Sequence, residues 1–292
     1  GVPIESIRTG QRVWSYSYQN RKGAKVIVGA NKNSINPFQH GHLVTKVGQR
    51  QYVGDLVVLT AGKKISRYTI DHECVVLLDG AFEEKYVVYL LRRGDQFRVG
   101  VTGPRKWKSK WMNPRREGRA DIRTRMNAQK AESCWALACF DTEPEALAEE
   151  RFIAVKYGIP DMLFRVRPGE NRSGNQKQCD CFWERFGDNL DGAKSCLMAY
   201  GRDLDYPFAE RKESLGDVRY PGSRPSHMGD IPIKIRACNL MPEMKVLIAD
   251  KCKNGVVTDE CWVPFTLRRE FYSGPVYSMT VDRAHTYIGD GI

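Results

Sequence analysis

One carboxylate in this chain stands where a carboxylate is costly. In DTEPEALAEERFIAVKYGIP, Thr142 and Glu145 have capping-box spacing and Pro144 suits a first turn, while Gly158 and Pro160 end the run. The spacing predicts a helix over 142–157. At helical periodicity Glu150 has Ala146 and Leu147 behind it, Ile153 and Ala154 ahead and Tyr157 beyond. A charge in an apolar stripe is expensive to bury unless it holds a cation or pairs with one. Glu150 is therefore read as a metal ligand or as half of a Glu–Arg ion pair. Its neighbour Glu149 lies about 100° round the helix, on the more polar side.

A second chemical signal is charge. From Arg98 to Lys130 there are eleven Lys/Arg against two acids, Glu117 and Asp121, in a chain of formal charge +11. Within that run PRKWKSKWMNPRR interleaves Trp107 and Trp111 with Arg105, Lys106, Lys108, Lys110, Arg115 and Arg116. Basic side chains with aromatics among them suit a polyanion, because each phosphate neutralised releases condensed counterions. A solvated basic loop is the alternative. The nine cysteines are odd in number and irregular in spacing, which fits reduced thiols better than a disulfide framework. Cys179 and Cys181 form the one close pair and lack the companion ligands of a zinc site.

The elements that must position these residues change character along the chain. Residues 1–83 hold short strand patterns (RVWSYSY, AKVIVGA, HLVTKVG, YVGDLVVLT, ECVVLLDG) separated by Gly, Asn and Asp turn signals. Residues 231–292 resume that character. Between them lie two strand-like runs, the basic segment, and helical stretches at 142–157 and 182–200. A β-rich beginning and end around a mixed centre predict one domain inserted into another, with RYPGSRPSHMGD (219–230) as the return linker. A length of 292 residues accommodates two domains. No apolar run approaches the roughly 18–20 residues of a membrane helix, and the first residues lack a signal-peptide pattern. The expectation is an intracellular, cytoplasmic protein with no membrane partner.

The two ends resemble Hint (hedgehog/intein) domains. GVPIESIRTGQRVWSY is similar to the later half of the first splicing block, and TIDHECVV carries Thr69 and His72 in the T-x-x-H spacing of the second. YSGPVYSMTVDRAHTYIGDGI resembles the penultimate block, with His285 in its usual place. In such domains an acyl shift develops an oxyanion and protonates a leaving amine, for which a Thr hydroxyl and an imidazole supply the donor and the proton. Gly1 stands where that family has a nucleophile, and the chain stops at Gly291-Ile292, where His-Asn would follow. The expectation is a chain that does not splice as it stands, and that would engage a flanking host protein (an extein) only with its ends restored.

The centre resembles GIY-YIG nucleases. In KYVVYLLRRGDQFRVGVTG, Val87-Val88-Tyr89 stands for the first motif and Arg98-Val99-Gly100 for the second, with Arg98 in place of a tyrosine. Period-2 alternation makes 85–91 and 96–102 a hairpin about Arg93-Gly94-Asp95. The resemblance implies that Tyr89 helps deprotonate the attacking water. It implies an arginine on the following helix to neutralise phosphate charge: Arg125 first, then Arg123, with Arg119 a third candidate. It implies Glu150 as the Mg²⁺ ligand, and Asn171 or Asn175 in support.

These readings converge on a multi-domain protein: an all-β Hint fold (1–83 and 226–292) interrupted by an α/β GIY-YIG nuclease domain (84–175) and a small helical segment (176–225), a connector or DNA-reading arm. The expected function is a homing endonuclease that hydrolyses double-stranded DNA with Mg²⁺. The alternatives are a splicing element with a decayed nuclease, for which Arg98 is the best support, and a DNA-binding regulator without cleavage.

Overall fold

A computed structural model describes residues 4–13, 16–17, 27–28, 42–77, 85–103, 122–166, 175–212, 217–219, 233–248, 251 and 259–281. The architecture is mixed α/β, mostly strands in antiparallel sheets, with four α-helices among the described residues. None of those helices is long and apolar enough to cross a membrane. The chain divides into two compact units: residues 1–77 with 245–292, and residues 78–244.

The first unit is built from both ends of the chain. It holds β1 (Arg12–Val13), a small ribbon of β2 (Tyr16–Ser17) and β3 (Ile27–Val28), and then β4 (His42–Ala61), β5 (Lys64–Thr69) and β6 (Glu73–Leu77). From the other end come β13 (Lys245–Leu247), β14 (Trp262–Pro264) and β15 (Thr266–Val281). The sequence patterns HLVTKVG and YVGDLVVLT predict two strands; they form the single strand β4, paired along its length with β15 from Val44↔Val281 to Thr60↔Thr266. The glycine between them is not used as a turn. Gly48 lies so close to β15 that a Cβ there would meet the Ser278 hydroxyl at 2.9 Å. Leu56, Val57, Val58 and Leu59 are buried, β5 folds back on that end of β4, and β13 lies between β6 and β14.

The second unit is a five-stranded antiparallel sheet in the order β11-β10-β9-β7-β8. Its strands are β7 (Tyr86–Arg93), β8 (Gln96–Thr102), β9 (Ser133–Phe140), β10 (Ala209–Lys212) and β11 (Asp217–Arg219); β12 (Ile233–Arg236) follows in the chain. Its helices are α1 (Ile122–Gln129), α2 (Glu143–Tyr157), α3 (Asn175–Phe186) and α4 (Leu190–Ala199). β7 and β8 pair with Tyr89 opposite Gly100 and Arg93 opposite Gln96, closing a two-residue turn at Gly94-Asp95. Alternation sends Val88, Leu90, Phe97 and Val99 to one face, where they pack with Trp135, Leu137, Ala146 and Ile153 of α2, and Ala193, Cys196 and Leu197 of α4. Such a cluster contributes roughly 1.5–3 kcal/mol for each fully buried large side chain.

The capping box of α2 is present: Thr142 Oγ1 accepts from the Glu145 amide, and the Glu145 carboxylate accepts from the Thr142 amide at 3.2 Å. Gly158 ends the helix in the left-handed region at φ 64°. The helical stretch expected over 182–200 is two helices. They are broken at residues 187–189, where Asn189 turns its side chain to β8. Both lie in the second unit, and α4 is part of its core.

Candidate active site

The opposite face of the hairpin carries Tyr89, Arg98 and Gly100. Tyr89 is 2% exposed and its ring lies over Gly100: a Cβ at that position would stand 2.6 Å from the hydroxyl and 2.7 Å from Cζ. A glycine is required there by space, not by backbone angle. Tyr86 takes the other face, packed against the core with Val88 and Leu90. Burial pushes the Tyr89 hydroxyl above its ordinary pKa. The guanidinium of Arg98, which also donates a hydrogen bond to it, and then that of Arg125 pull the other way. Near neutral pH the group is therefore a phenol, able to donate and accept at once.

Arg98 is 4% exposed, a buried cation that needs compensation. Its Nε donates to the Met162 carbonyl at 3.0 Å and its Nη2 to the Asp161 carbonyl at 2.8 Å. The chain just past those carbonyls is held by Gln129 at the end of α1. Its Oε1 accepts from the amides of Phe164 (2.8 Å) and Arg165 (3.2 Å), and its Nε2 donates to the Arg165 carbonyl (2.8 Å).

Glu150 is 8% exposed on α2, between buried Ala146 and Ile153. Leu147, expected in the same stripe, faces outward at 44% exposure, so the apolar stripe runs through 146, 150, 153, 154 and 157. Burial raises the Glu150 carboxyl above its ordinary pKa; Arg98 opposes this, Asp161 adds to it, and Arg151 and the Val101 amide lower it. Arg151 itself donates to Asp161 Oδ2 at 2.5 Å. Glu149 accepts from the Tyr200 hydroxyl. The Val101 contact places Glu150 in a row. β8 is an edge strand, and its outward amides at Phe97, Val99 and Val101 are met by Asn189 Oδ1 (2.7 Å), the Pro160 carbonyl (3.0 Å) and Glu150.

Arg98 is thus within electrostatic reach of both Tyr89 and Glu150, and Arg125 of Tyr89. Of the other arginine candidates, Arg123 lies on α1 with only its backbone described, and Arg119 lies outside the described residues. Asn171 is also outside them, and of Asn175 only the backbone is described. The basic and aromatic residues Arg105, Lys106, Trp107, Lys108, Lys110, Trp111, Arg115 and Arg116 are outside as well. Gln129, Asn189 and the two carbonyls holding Arg98 carry no motif or period that sequence reading could use.

The carboxylates suit a hydrated divalent cation. Mg²⁺ commonly binds through one or two carboxylates and keeps several waters. Glu150 with Asp161 in electrostatic reach supplies that number, and burial of Glu150 gives it a reason to hold a cation. Among the described residues no group of three His, Cys, Asp or Glu side chains forms a metal cage. Cys179 is buried with its Sγ 4.0 Å from Met162 Sδ, whereas Cys181 is exposed.

In the first unit, Thr69 and His72 share a tight turn after β5, the His72 amide donating to the Thr69 carbonyl at 3.0 Å. The imidazole stacks on the Tyr68 ring, with centroids 4.8 Å apart. Burial lowers its pKa against the opposing influence of Asp71 and Glu73, so it is neutral near pH 7. His285 lies outside the described residues. Compared with known proteins, the chain matches no family model, no curated protein and no solved structure.

Proposed function

We propose that this chain is a Mg²⁺-dependent GIY-YIG-type endonuclease hydrolysing DNA phosphodiester bonds, carried between the two parts of a Hint-like β module. The observation that carries the reading is that buried Arg98 on β8 lies within electrostatic reach of both Tyr89 on β7 and Glu150 on α2, with Arg125 also in reach of Tyr89. A buried Tyr–Arg–Glu group is hard to explain as stabilisation, since apolar residues would fill the same volume at less desolvation cost.

In this mechanism Glu150 would hold the cation, which when bound would supply Lewis-acid polarisation of the phosphate and a more acidic water. Tyr89 accepts a proton from the attacking water as that water's oxygen bonds phosphorus. Its own hydroxyl proton passes to solvent, which in turn protonates the leaving oxygen. Arg98, hydrogen-bonded to the Tyr89 oxygen, offsets negative charge forming there. Arg125 offsets the charge that builds on the phosphate oxygens as the P–O bond to the leaving group breaks. The basic stretch with Trp107 and Trp111 would contact the backbone.

A plasmid bearing the intein-free host gene, incubated with the protein and Mg²⁺, tests this. Wild type should nick or linearise it, and Tyr89→Phe and Glu150→Ala should not. Absence of wild-type cutting with DNA binding retained would leave a DNA-binding regulator. The turn that joins Thr69 to His72 favours a second reading, a splicing element with a decayed nuclease. Splicing in a version with Cys at the first position and His-Asn restored at the end would support it.

A further inference from the structure

We infer that Arg211, on β10, is a positioning residue for Arg125: it ties down the C-terminal end of the helix that carries Arg125 beside Tyr89. The inference rests on the nuclease reading above and adds to it a residue 86 positions from the arginine it serves.

An eight-residue helix such as α1 has little stability of its own, so its direction is set by what it is fastened to. Ile122 and Met126 bury one side of it. Its last turn closes with the Ala131 amide on the Met126 carbonyl (3.0 Å) and the Lys130 amide on the Asn127 carbonyl (3.3 Å), the paired bonds of a helix C-terminal stop. That stop puts Lys130 at φ 54°, the sole non-glycine with positive φ among the described residues. A side chain in that left-handed region is strained, so contacts from outside the helix help to hold the turn closed.

Arg211 is placed to do so. Its Nη2 donates to the Met126 carbonyl and to Asn127 Oδ1, both at 3.1 Å, and its Nε to the Ala131 carbonyl at 3.2 Å. Its own amide donates to the Glu132 carbonyl at 2.7 Å. A cation at a helix C-terminus also complements the helix dipole. Arg125 precedes Met126 directly, so losing the Arg211 bonds leaves this turn to its two backbone hydrogen bonds alone and loosens the segment from which Arg125 reaches Tyr89. Gln129 in the same turn holds the amides of Phe164 and Arg165, just past the carbonyls that hold Arg98. This one turn is therefore joined directly to Arg125 and, through Gln129, to the chain that follows the Arg98 acceptors.

Two readouts on the full chain test this. The first is the ¹³Cζ resonance of Tyr89, assigned by its loss in Tyr89→Phe and read without DNA. Arg211→Ala should move it in the direction that Arg125→Ala does, and the double variant no further. The second is cleavage. Arg211→Ala should lower kcat by about tenfold or more with KM within about twofold, Arg211→Lys should recover part of that loss, and Arg211→Ala should have no added effect in an Arg125→Ala background. An unmoved Tyr89 resonance, or losses that multiply in the double variant, would overturn the inference. If Arg211→Ala does not fold, Arg211→Gln takes its place in both arms. Because the resonance needs no activity, failure of the nuclease reading leaves the positioning claim decidable.

Discussion

The ring of Tyr89 fills the volume that a side chain at position 100 would need, and both sit within a sheet with no slack. Gly100→Ala should therefore push the ring off its hydrogen bond with Arg98 and cost about 1–3 kcal/mol of stability, measured by urea unfolding, with cleavage lost beyond what stability accounts for. Unchanged cleavage in that variant would remove Tyr89 from the mechanism. Glu150 makes a pH prediction. Its folded pKa is raised above the ordinary 4.5, so the folded state holds the proton more tightly. Stability then falls as pH rises through the window that begins near 4.5, and the deficit is complete once the folded carboxyl ionises. Glu150→Gln keeps an acceptor for Val101 without the charge. It should melt above wild type at pH 7 and level with it below pH 4.5. Mg²⁺ should raise the melting temperature of wild type and leave that of Glu150→Gln unmoved.

At the scale of elements, the outer edge of β8 is the place where the site is assembled. An unpaired edge is a row of unmet amides, and here the row is closed by three pieces of chain instead of a sixth strand. Asn189 does the first part by imitating a strand residue: its Oδ1 accepts from the Phe97 amide while its Nδ2 donates to the Phe97 carbonyl at 2.8 Å. Asn189→Ala should leave both groups unmet and cost roughly 2–4 kcal/mol, at about 1–3 kcal/mol for each buried group. Amide hydrogen exchange should show faster exchange at Phe97, with the central strands β7 and β9 protected. The next two amides, of Val99 and Val101, donate to the Pro160 carbonyl and to Glu150, so the fastening that stops sheet growth also brings the carboxylate within reach of Arg98.

For the whole molecule the main quantity is charge. The excess of basic residues is concentrated between Arg98 and Lys130, on the same unit as the candidate site. DNA affinity should then fall steeply with salt, by a slope of about 0.9 in log–log terms for each phosphate contacted. Replacing Arg105, Lys106, Lys108 and Lys110 with Ala should reduce that slope by roughly 3–4, read by fluorescence anisotropy at several salt concentrations. An unchanged slope would place the DNA elsewhere on the protein.

Local pattern determined a definite part of this protein. Alternation in KYVVYLLRRGDQFRVG specified the β7–β8 hairpin, and the T-x-x-E spacing with Gly158 specified both ends of α2. The apolar neighbours of Glu150 specified that its carboxylate would be buried. Each is an interaction within about a dozen residues, where the period of the chain reports it directly. Tertiary structure alone decided the rest. It placed Leu147 outside the stripe, joined two strand patterns into β4, and split the stretch 182–200 so that Asn189 could reach Phe97. It also turned Arg98, an anomaly in a motif, into a buried cation held by the carbonyls of Asp161 and Met162. Such partners are 63 and 64 residues away in the chain and are backbone groups. Their identity leaves no mark on side-chain pattern, because every residue carries a carbonyl and only the fold selects which one arrives.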